Sequence, residues 1–180
     1  MAEVIVTESE LKLAEIFSKK GLLRPIIGCT FCFKCNRPFL WLKSELPDVC
    51  KLCKQKIEYG MVARPDILLI NVFQPYEESI GVPPQDQSCR YSVVRVQGGI
   101  HYKNKKRKEY DRFQLQKFLE CDIPVFDIKN EEIDYMVDNG WPGLAFVTMV
   151  EAMTMGGVEG MYARYKKEPE VKARMFYKTL

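Results

Sequence analysis

Three apolar runs between residues 64 and 128 constrain the fold of this chain most strongly. Arg64-Pro65-Asp66 stands at the head of the first run, DILLINVF. The second run, YSVVRVQ, is followed by Gly98-Gly99-Ile100-His101. A cluster of Lys and Arg, a helical segment and a third apolar run, IPVFDIK, come next. A helix that links two near-continuous apolar strands predicts a crossover between parallel strands. The sequence therefore predicts an α/β (α+β) fold with a mixed sheet flanked by helices.

The hydrophobic pattern also predicts the other elements. Residues 7–20 form an apolar stripe at helical spacing that Gly21 ends, which predicts a helix. Residues 74–89 contain several prolines and predict a long loop. We expect strands at 57–62, 66–73, 90–97 and 123–128, and helices at 104–120, 131–138, 144–155 and 158–177. The expected buried side of helix 104–120 consists of Tyr110, Phe113, Phe118 and Leu119.

Five of the seven cysteines fall between positions 29 and 53. Cys32-Phe33-Lys34-Cys35 is followed, after fourteen residues, by Cys50-Lys51-Leu52-Cys53. Two such turns supply the four thiolates that structural Zn²⁺ prefers, and an iron–sulfur cluster is the alternative on the same ligands. We therefore expect a zinc ribbon at residues 29–56 with Cys32, Cys35, Cys50 and Cys53 as ligands. Cys29 could replace Cys32, and we expect Cys89 and Cys121 to be small buried hydrophobic residues.

Composition limits the classes of function. The 180 residues contain no apolar run of the roughly 18 residues that a membrane span needs, so no membrane partner is expected. The beginning, MAEVIVTESE, is acidic and lacks a long apolar core, which argues against a secretory signal and predicts a cytoplasmic protein. The net charge of +3 is too small to indicate a nucleic-acid partner by itself. The oligomeric state is left open, and a homodimer is compatible with the sequence.

A local cluster of charge makes the argument for a nucleic-acid partner instead. Five cations stand within six residues at a predicted helix start, flanked by Tyr102 and Tyr110: Lys103, Lys105, Lys106, Arg107 and Lys108. Cations are unfavourable at a helix N-terminus, so an anionic partner is indicated, although such runs are often only a solvated helix start. Aromatic rings beside cations suit stacking as well as phosphate contact. The cations of the ribbon provide a second expected contact with DNA: Lys34, Arg37, Lys51, Lys54 and Lys56.

The order of elements, together with several short motifs, resembles the restriction-endonuclease-like superfamily with its PD-(D/E)xK pattern. The nearest branch is the very-short-patch repair endonucleases. The matching segments are Thr7-Glu8-Ser9-Glu10, Arg64-Pro65-Asp66, VVRVQGGIHY, Asp111-Arg112 and IPVFDIKNEEI. The resemblance covers residues 7–25 and 57–133. It implies a nuclease-like core at 1–28 and 57–140, the zinc ribbon at 29–56 as an insertion, and a helical C-terminal extension at 141–180.

This resemblance implies a DNA endonuclease that depends on Mg²⁺ or Mn²⁺. A metal ion accelerates phosphodiester hydrolysis by neutralising phosphate oxygens and lowering the pKa of an attacking water. Asp66 is the expected direct ligand of Mg²⁺, and Glu10 is expected to hold a metal-bound water. Gln97 stands where the pattern places a Lys, and His101 is a candidate base. Simpler roles are that Glu10 forms a capping box with Thr7 and that Gln97 is a polar end to its strand.

Arg95 departs from the pattern, which has a carboxylate two residues before the Lys position. An arginine cannot bind a cation, and it would repel a metal in a desolvated site. Glu109 or Asp111 on the next helix could supply the missing carboxylate, and Arg95→Glu is expected to restore metal affinity. Two alternatives to the endonuclease remain. One is an inactive nuclease-fold DNA-binding protein in which Arg95 contacts phosphate, and the other is a zinc-ribbon adaptor that binds proteins.

Overall fold

The computed structural model describes residues 6–41, 45, 47–58, 60–71, 90–97 and 105–154, with only the backbone at 105–108. Predictions that fall elsewhere, such as the helix at 158–177, lie outside the described residues. Within these ranges the chain forms four helices, α1 (Glu8–Lys20), α2 (Lys105–Glu120), α3 (Asn130–Asp138) and α4 (Gly140–Thr154). It also forms seven strands, β1 (Arg24–Ile27), β2 (Cys29–Cys32), β3 (Arg37–Leu40), β4 (Val62–Ala63), β5 (Ile67–Ile70), β6 (Tyr91–Gln97) and β7 (Val125–Lys129).

The larger sheet has four strands in the order β1-β5-β6-β7. The β1–β5 and β5–β6 pairs are antiparallel, whereas β6 and β7 are parallel and α2 lies between them along the chain. The predicted mixed α/β class is therefore confirmed. Strand β1 was not predicted, because its run is only four residues long and contains Pro25. Proline is tolerated at a sheet edge, and β1 is at the edge of the described sheet.

A smaller antiparallel sheet has the order β3-β2-β4. The predicted strand at 57–62 is wrong for most of its length, since only Val62 falls within a strand, β4. Gly60 interrupts it with φ of 79°, a left-handed conformation that glycine adopts without strain. Gly60 also lies against the ring of Phe113, where an added Cβ would approach to 2.5 Å. This close approach leaves no room for a larger residue at the turn.

Helix α1 begins as the sequence predicts. Thr7 Oγ1 accepts a hydrogen bond from Glu10 N (3.3 Å), and Glu10 Oε2 accepts one from Thr7 N (2.7 Å). These reciprocal bonds form a capping box, which satisfies two otherwise unpaired amides at the helix start. Leu13 and Phe17 are fully buried, and the Phe17 ring meets Phe146 of α4 edge-on. The capped helix thus presents its apolar side to the core.

Helix α4 begins four residues before its predicted start. Its first turn was not predicted because it contains Gly140, Pro142 and Gly143, and glycine and proline are poor helix formers. Proline is accepted in the first turn of a helix because the amides there have no intrahelical partner. Gly143 packs against α3, since an added Cβ would lie in van der Waals contact with the Met136 carbonyl at 3.4 Å. The later residues of α4 belong to the main core, among them Phe146, Val147, Val150 and Met153. None of the described helices is long and apolar enough to cross a bilayer.

Aromatic rings join the smaller sheet to the larger one. Phe31 of β2 is fully buried and stacks edge-on against Tyr91 of β6, and it also contacts Phe118 of α2. Of the predicted buried side of α2, Phe118 and Leu119 are buried, whereas Tyr110 and Phe113 are only half-buried. Part of the smaller sheet therefore joins the core of the larger one, whereas its Cys32, Phe39 and Val62 belong to a separate cluster around the four sulfurs.

Candidate functional site

Four cysteines converge next to the smaller sheet. The Sγ atoms of Cys32, Cys35, Cys50 and Cys53 all lie within 4.8 Å of one another, so the group could hold a metal ion. A tetrahedral zinc with bonds of about 2.3 Å needs sulfurs roughly 3.8 Å apart, a spacing compatible with this cluster. Within the described part of the chain, no other group of three or more Cys, His, Asp or Glu side chains comes as close together.

Each pair of cysteines sits in a tight turn of the same shape. The residue after the second cysteine has positive φ in both turns, 51° at Asn36 and 61° at Lys54. Asparagine enters this left-handed region readily, whereas lysine does so at a cost. The conformation turns backbone N–H groups toward sulfur: those of Lys34 and Cys35 bond to Cys32, and those of Leu52 and Cys53 bond to Cys50. The turns are therefore shaped to stabilise thiolates.

The sulfurs influence one another strongly. Burial raises the pKa of Cys32, and burial together with the neighbouring Cys32 sulfur raises the pKa of Cys35 to about 12. Burial also acts to raise the pKa of Cys50, but the amides of Cys53 and Leu52 outweigh it and bring that pKa down to about 7. Negative charges held this close together repel one another. A divalent metal would supply a compensating positive charge and would displace the protons.

Cys29 does not belong to this group. It is 2% exposed in the main core, and burial raises its pKa to about 12. The prediction that Cys29 could replace Cys32 is therefore wrong, because strand β2 places Cys29 in the main hydrophobic core and Cys32 in the separate cluster around the four sulfurs. Cys121 packs against the main core but is only half-buried, whereas a buried residue was expected, and Cys89 lies outside the described residues.

A cleft opens where β5 begins and β6 ends. Side chains alternate along a strand, so Val93, Arg95 and Gln97 share the face of β6 that α2 covers. The structure brings together Asp66, Arg95, Gln97 and Asp111, and the cleft has room for about one water molecule. The complete lining consists of Arg64, Pro65, Asp66, Val93, Arg95, Gln97, Asp111, Gln114 and Phe118.

Arg95 is paired within the protein. Its Nε lies 2.7 Å from Asp127 Oδ1, and its Nη2 lies 2.8 Å from Asp127 Oδ2. Its Nη1 donates to the Asp111 carbonyl at 2.8 Å, and Gln97 Nε2 donates to Asp127 Oδ1 at 3.2 Å. The Arg95 and Asp127 side chains are 11% and 15% exposed. The expectations that Arg95 repels a metal or contacts phosphate are therefore corrected, because Asp127 neutralises its charge and the surrounding residues largely bury it.

Asp127 is the site residue that sequence reasoning missed. It is the one acidic residue of strand β7, and the strand register places it directly beside Arg95. An arginine in β6 and an aspartate in β7, each within a mostly apolar run, are a signal that could have identified the pair. The register of β6 against β7, which brings the two charges together, could not be predicted from the sequence alone.

Asp66 and Arg64 are held at the rim of the cleft. Asp66 Oδ2 accepts a hydrogen bond from the Val96 backbone N–H at 2.7 Å, which ties the start of β5 to the end of β6. Arg64 Nη2 donates to the carbonyl of Glu45 at 2.9 Å, and burial lowers the pKa of Arg64. Because Glu45 belongs to the segment between the two cysteine pairs, Arg64 connects the cysteine cluster to the cleft.

The other predicted site residues are less closely grouped. Glu10 lies in the capping box at the start of α1 and does not line the cleft, and Glu109 is exposed on α2 and does not line it either. His101 and Lys103 lie outside the described residues. The backbone of residues 105–108 forms the first turn of α2, which carries no acidic residue. Of the carboxylates proposed to replace the missing ligand, Asp111 alone is in the cleft lining.

No protein family, curated protein or solved structure matches this chain.

Proposed function

We propose that this chain is a DNA-binding protein built on a nuclease-like core whose cleft does not cleave DNA. The observation that carries this proposal is the two-point ion pair between Arg95 and Asp127. It places an arginine where the PD-(D/E)xK pattern has a metal-binding carboxylate, and it engages both oxygens of Asp127 on the neighbouring strand. Hydrogen bonds within the protein therefore occupy the place at which hydrolysis would need a metal.

The chemistry of hydrolysis explains why these bonds matter. Mg²⁺ requires near-octahedral oxygen coordination and keeps several waters, and one of them must be free to attack the phosphate. Asp66 Oδ2 accepts from the Val96 N–H, and the cleft has room for about one water molecule. A hydrated metal and a phosphate would therefore fit only after the cleft had opened.

The topology supports a nuclease-like core. An initial helix, three antiparallel strands, a second helix and a parallel fourth strand follow one another in the order α1-β1-β5-β6-α2-β7, apart from the smaller sheet. Asp66 stands at the start of β5 and Gln97 at the end of β6, which are the positions implied by the resemblance. The positions of the pattern are thus occupied, although its chemistry at Arg95 has changed.

The start of α2 supports DNA as the ligand. Its first four residues are Lys105, Lys106, Arg107 and Lys108, and no acidic residue offsets them in that turn. The free amides of a helix N-terminus add partial positive charge to these cations. Asp111 lines the cleft six residues after Lys105, so the basic turn lies roughly 9 Å along the helix from it. A phosphate backbone held at the basic turn would thus run close to the cleft.

We further propose that the four clustered cysteines hold a structural zinc. All four positions are sulfur, which leaves no open coordination site for catalysis. The zinc would then stabilise the smaller sheet, since structural zinc contributes directly to the free energy of folding.

A metal-dependent endonuclease is the second candidate function. It is favoured by the presence of two carboxylates, Asp66 and Asp111, in the same cleft as Gln97. One or two protein carboxylates are the usual number for Mg²⁺, which takes its other ligands from water and phosphate. This candidate requires the cleft to open when DNA binds.

The test combines binding with cleavage. Wild-type protein should bind duplex DNA with a steep salt dependence, and it should leave plasmid, linear, mismatched and branched DNA intact with Mg²⁺, Mn²⁺ or Co²⁺. Cleavage that Asp66→Asn abolishes would favour the endonuclease instead. Absence of DNA binding at low salt would contradict both candidates and favour a protein-interaction adaptor.

A quadruple substitution tests the basic turn itself. Changing Lys105, Lys106, Arg107 and Lys108 to Gln should reduce the log–log salt slope by about 0.9 for each phosphate contact removed. The matched control changes the same number of positive charges at lysines held in other bonds, and it should leave the slope unchanged: Lys12, Lys19, Lys20 and Lys117.

A further inference from the structure

The surface around the clustered cysteines is predominantly basic, although Glu45 and Asp48 are exposed in the segment that connects the two cysteine pairs. Residues 32–41 and 49–57 contain no Asp or Glu. They carry five exposed cations, namely Lys34, Arg37, Lys51, Lys54 and Lys56. We call residues 32–57 the zinc module. The whole module has six cations and two acidic residues, Glu45 and Asp48, so a zinc ion with four thiolates, which carries a charge of −2, would leave it a net charge of +2. Its surface is therefore complementary to a polyanion.

The fold brings these cations to one place. Lys34 lies inside the first cysteine turn, whereas Lys51 lies inside the second and Lys54 follows it directly. Because all four Sγ atoms lie within 4.8 Å of one another, the two turns meet at the cysteine cluster, which brings the backbones of these lysines close to it. Charges that are far apart in the sequence thus form one patch.

Apolar and aromatic groups interrupt the patch. Leu52 is 46% exposed and Val49 is 45% exposed beside the second turn. The ring of Trp41 is half-buried, and Lys51 Nζ lies 4.8 Å from its centroid. Cations beside apolar and aromatic surface are suited to nucleic acid, in which phosphates alternate with sugars and bases.

The position of the module favours nucleic acid over an acidic protein. The hydrogen bond from Arg64 to the Glu45 carbonyl fixes the module beside the cleft, and α2, with its basic first turn, covers the same cleft. The zinc module and the start of α2 are both positively charged and both lie next to the cleft. One continuous polyanion can therefore bind both of them. A short acidic peptide would reach only one of them.

We propose that the zinc module is a second DNA-contact surface, which holds the phosphate backbone through Lys34, Lys51 and Lys54 and places Trp41 at the contact. This inference rests on the proposed DNA-binding function. It assigns to the module a role in binding in addition to its structural one. A single duplex would then contact both the module and the basic start of α2.

The experiment uses full-length, metal-loaded protein and a 20-base-pair duplex. Lys34→Gln, Lys51→Gln and Lys54→Gln are combined in one variant, and Lys12→Gln, Lys19→Gln and Lys117→Gln in a control that removes the same charge from ion pairs elsewhere. If each of the three module lysines contacts one phosphate, the salt slope should fall by roughly 2.7 in the module variant and should not change in the control. The zinc content of both variants should match wild type.

Fluorescence supplies a second measurement. The chain has two tryptophans, so a Trp141→Phe background leaves Trp41 as the single reporter. Adding the duplex should change its emission, because phosphate draws Lys51 away from the ring, and the module variant should lose this change. A wild type that does not bind DNA would contradict the proposed function itself. A wild type that binds, with the slope and emission change kept in the module variant, would overturn this inference alone. Poly-glutamate binding as tight as that of DNA, and lost in the module variant, would show that the patch serves an acidic protein.

Discussion

Arg95 and Asp127 lie side by side on the parallel strands β6 and β7 and are joined by two hydrogen bonds of 2.7 and 2.8 Å. A third bond links Arg95 to the carbonyl of Asp111 on α2. Two strands and the helix that connects them are thus fastened at one point. Arg95, at the position where the PD-(D/E)xK pattern implies a carboxylate, thus links β6 to β7 and α2.

Breaking this ion pair should destabilise the fold. Asp127→Asn leaves the Arg95 guanidinium mostly buried without a counter-charge, and losing one partner of a buried pair costs about 3 kcal/mol or more. Replacing both residues in Arg95→Met/Asp127→Leu should cost much less, because no unpaired charge remains. Urea unfolding of Arg95→Met, Asp127→Leu and the double variant measures the coupling. A double variant as unstable as the sum of the single variants would contradict a direct pairing.

Arg95→Glu should not restore a metal site. The new carboxylate would face Asp127, and two like charges in a desolvated cleft repel each other. We expect a loss of stability at least as large as that of Asp127→Asn, and no gain in Mg²⁺ affinity by isothermal titration calorimetry. Arg112→Glu, the same charge change at an exposed position of α2, is the control. Tighter Mg²⁺ binding by Arg95→Glu would instead support the endonuclease.

Asp66 should contribute to stability through the amide of Val96. Asp66→Ala removes the acceptor and leaves this N–H unsatisfied, which costs about 1–3 kcal/mol. Asp66→Asn keeps an oxygen acceptor and should cost less. Chemical denaturation measures the free energy of unfolding, which should be highest for wild type, lower for Asp66→Asn and lowest for Asp66→Ala. Equal stability of the three proteins would show that the hydrogen bond is not important for folding.

Zinc binding should depend on four cysteines and not on a fifth. Cys50→Ser should lose the metal, whereas Cys29→Ala should keep about one zinc per chain because Cys29 lies in the main core. Cys29→Ala, the control, should lose only roughly 1 kcal/mol of stability through the small cavity that it creates. Elemental analysis of the purified proteins gives the stoichiometry. Iron in place of zinc would favour the cluster alternative.

Local patterns explain what the sequence could predict. Helix α1 is visible because its apolar spacing, its Thr7 cap and its Gly21 stop are all contained in fifteen consecutive residues. The cysteine cluster is visible because each turn is defined by a four-residue motif. Strands β5, β6 and β7 are visible because buried strands require near-continuous apolar runs.

Features that depend on register could not be predicted in the same way. Arg95 and Asp127 are separated by 32 residues, and their pairing depends on how β6 and β7 align. The hydrogen bond of Asp66 spans 30 residues and the bond from Arg64 to Glu45 spans 19. The sequence identified most residues of the cleft, but it did not show that they are bonded to one another.

Removing the metal should loosen the cleft as well as the module. Cys32 pairs with Val62 of β4, and β4 leads directly to Arg64 and Asp66, so the cysteine cluster and the cleft rim share a short segment of chain. Arg64 also bonds to the Glu45 carbonyl within the module. With a zinc chelator, amide exchange at residues 61–66 should accelerate roughly tenfold or more, equivalent to about 1.4 kcal/mol.

Helix α1 is the internal control for this measurement. Its buried residues Leu13 and Phe17 pack in the main core and not in the cluster around the sulfurs, so their amide exchange should stay slow when the metal is removed. Hydrogen-exchange mass spectrometry resolves the two segments in one sample. Faster exchange confined to residues 50–56 would show that the module unfolds without affecting the cleft. Faster exchange throughout α1 would show that the whole fold depends on the metal, because the smaller sheet and the main core would then unfold as one unit.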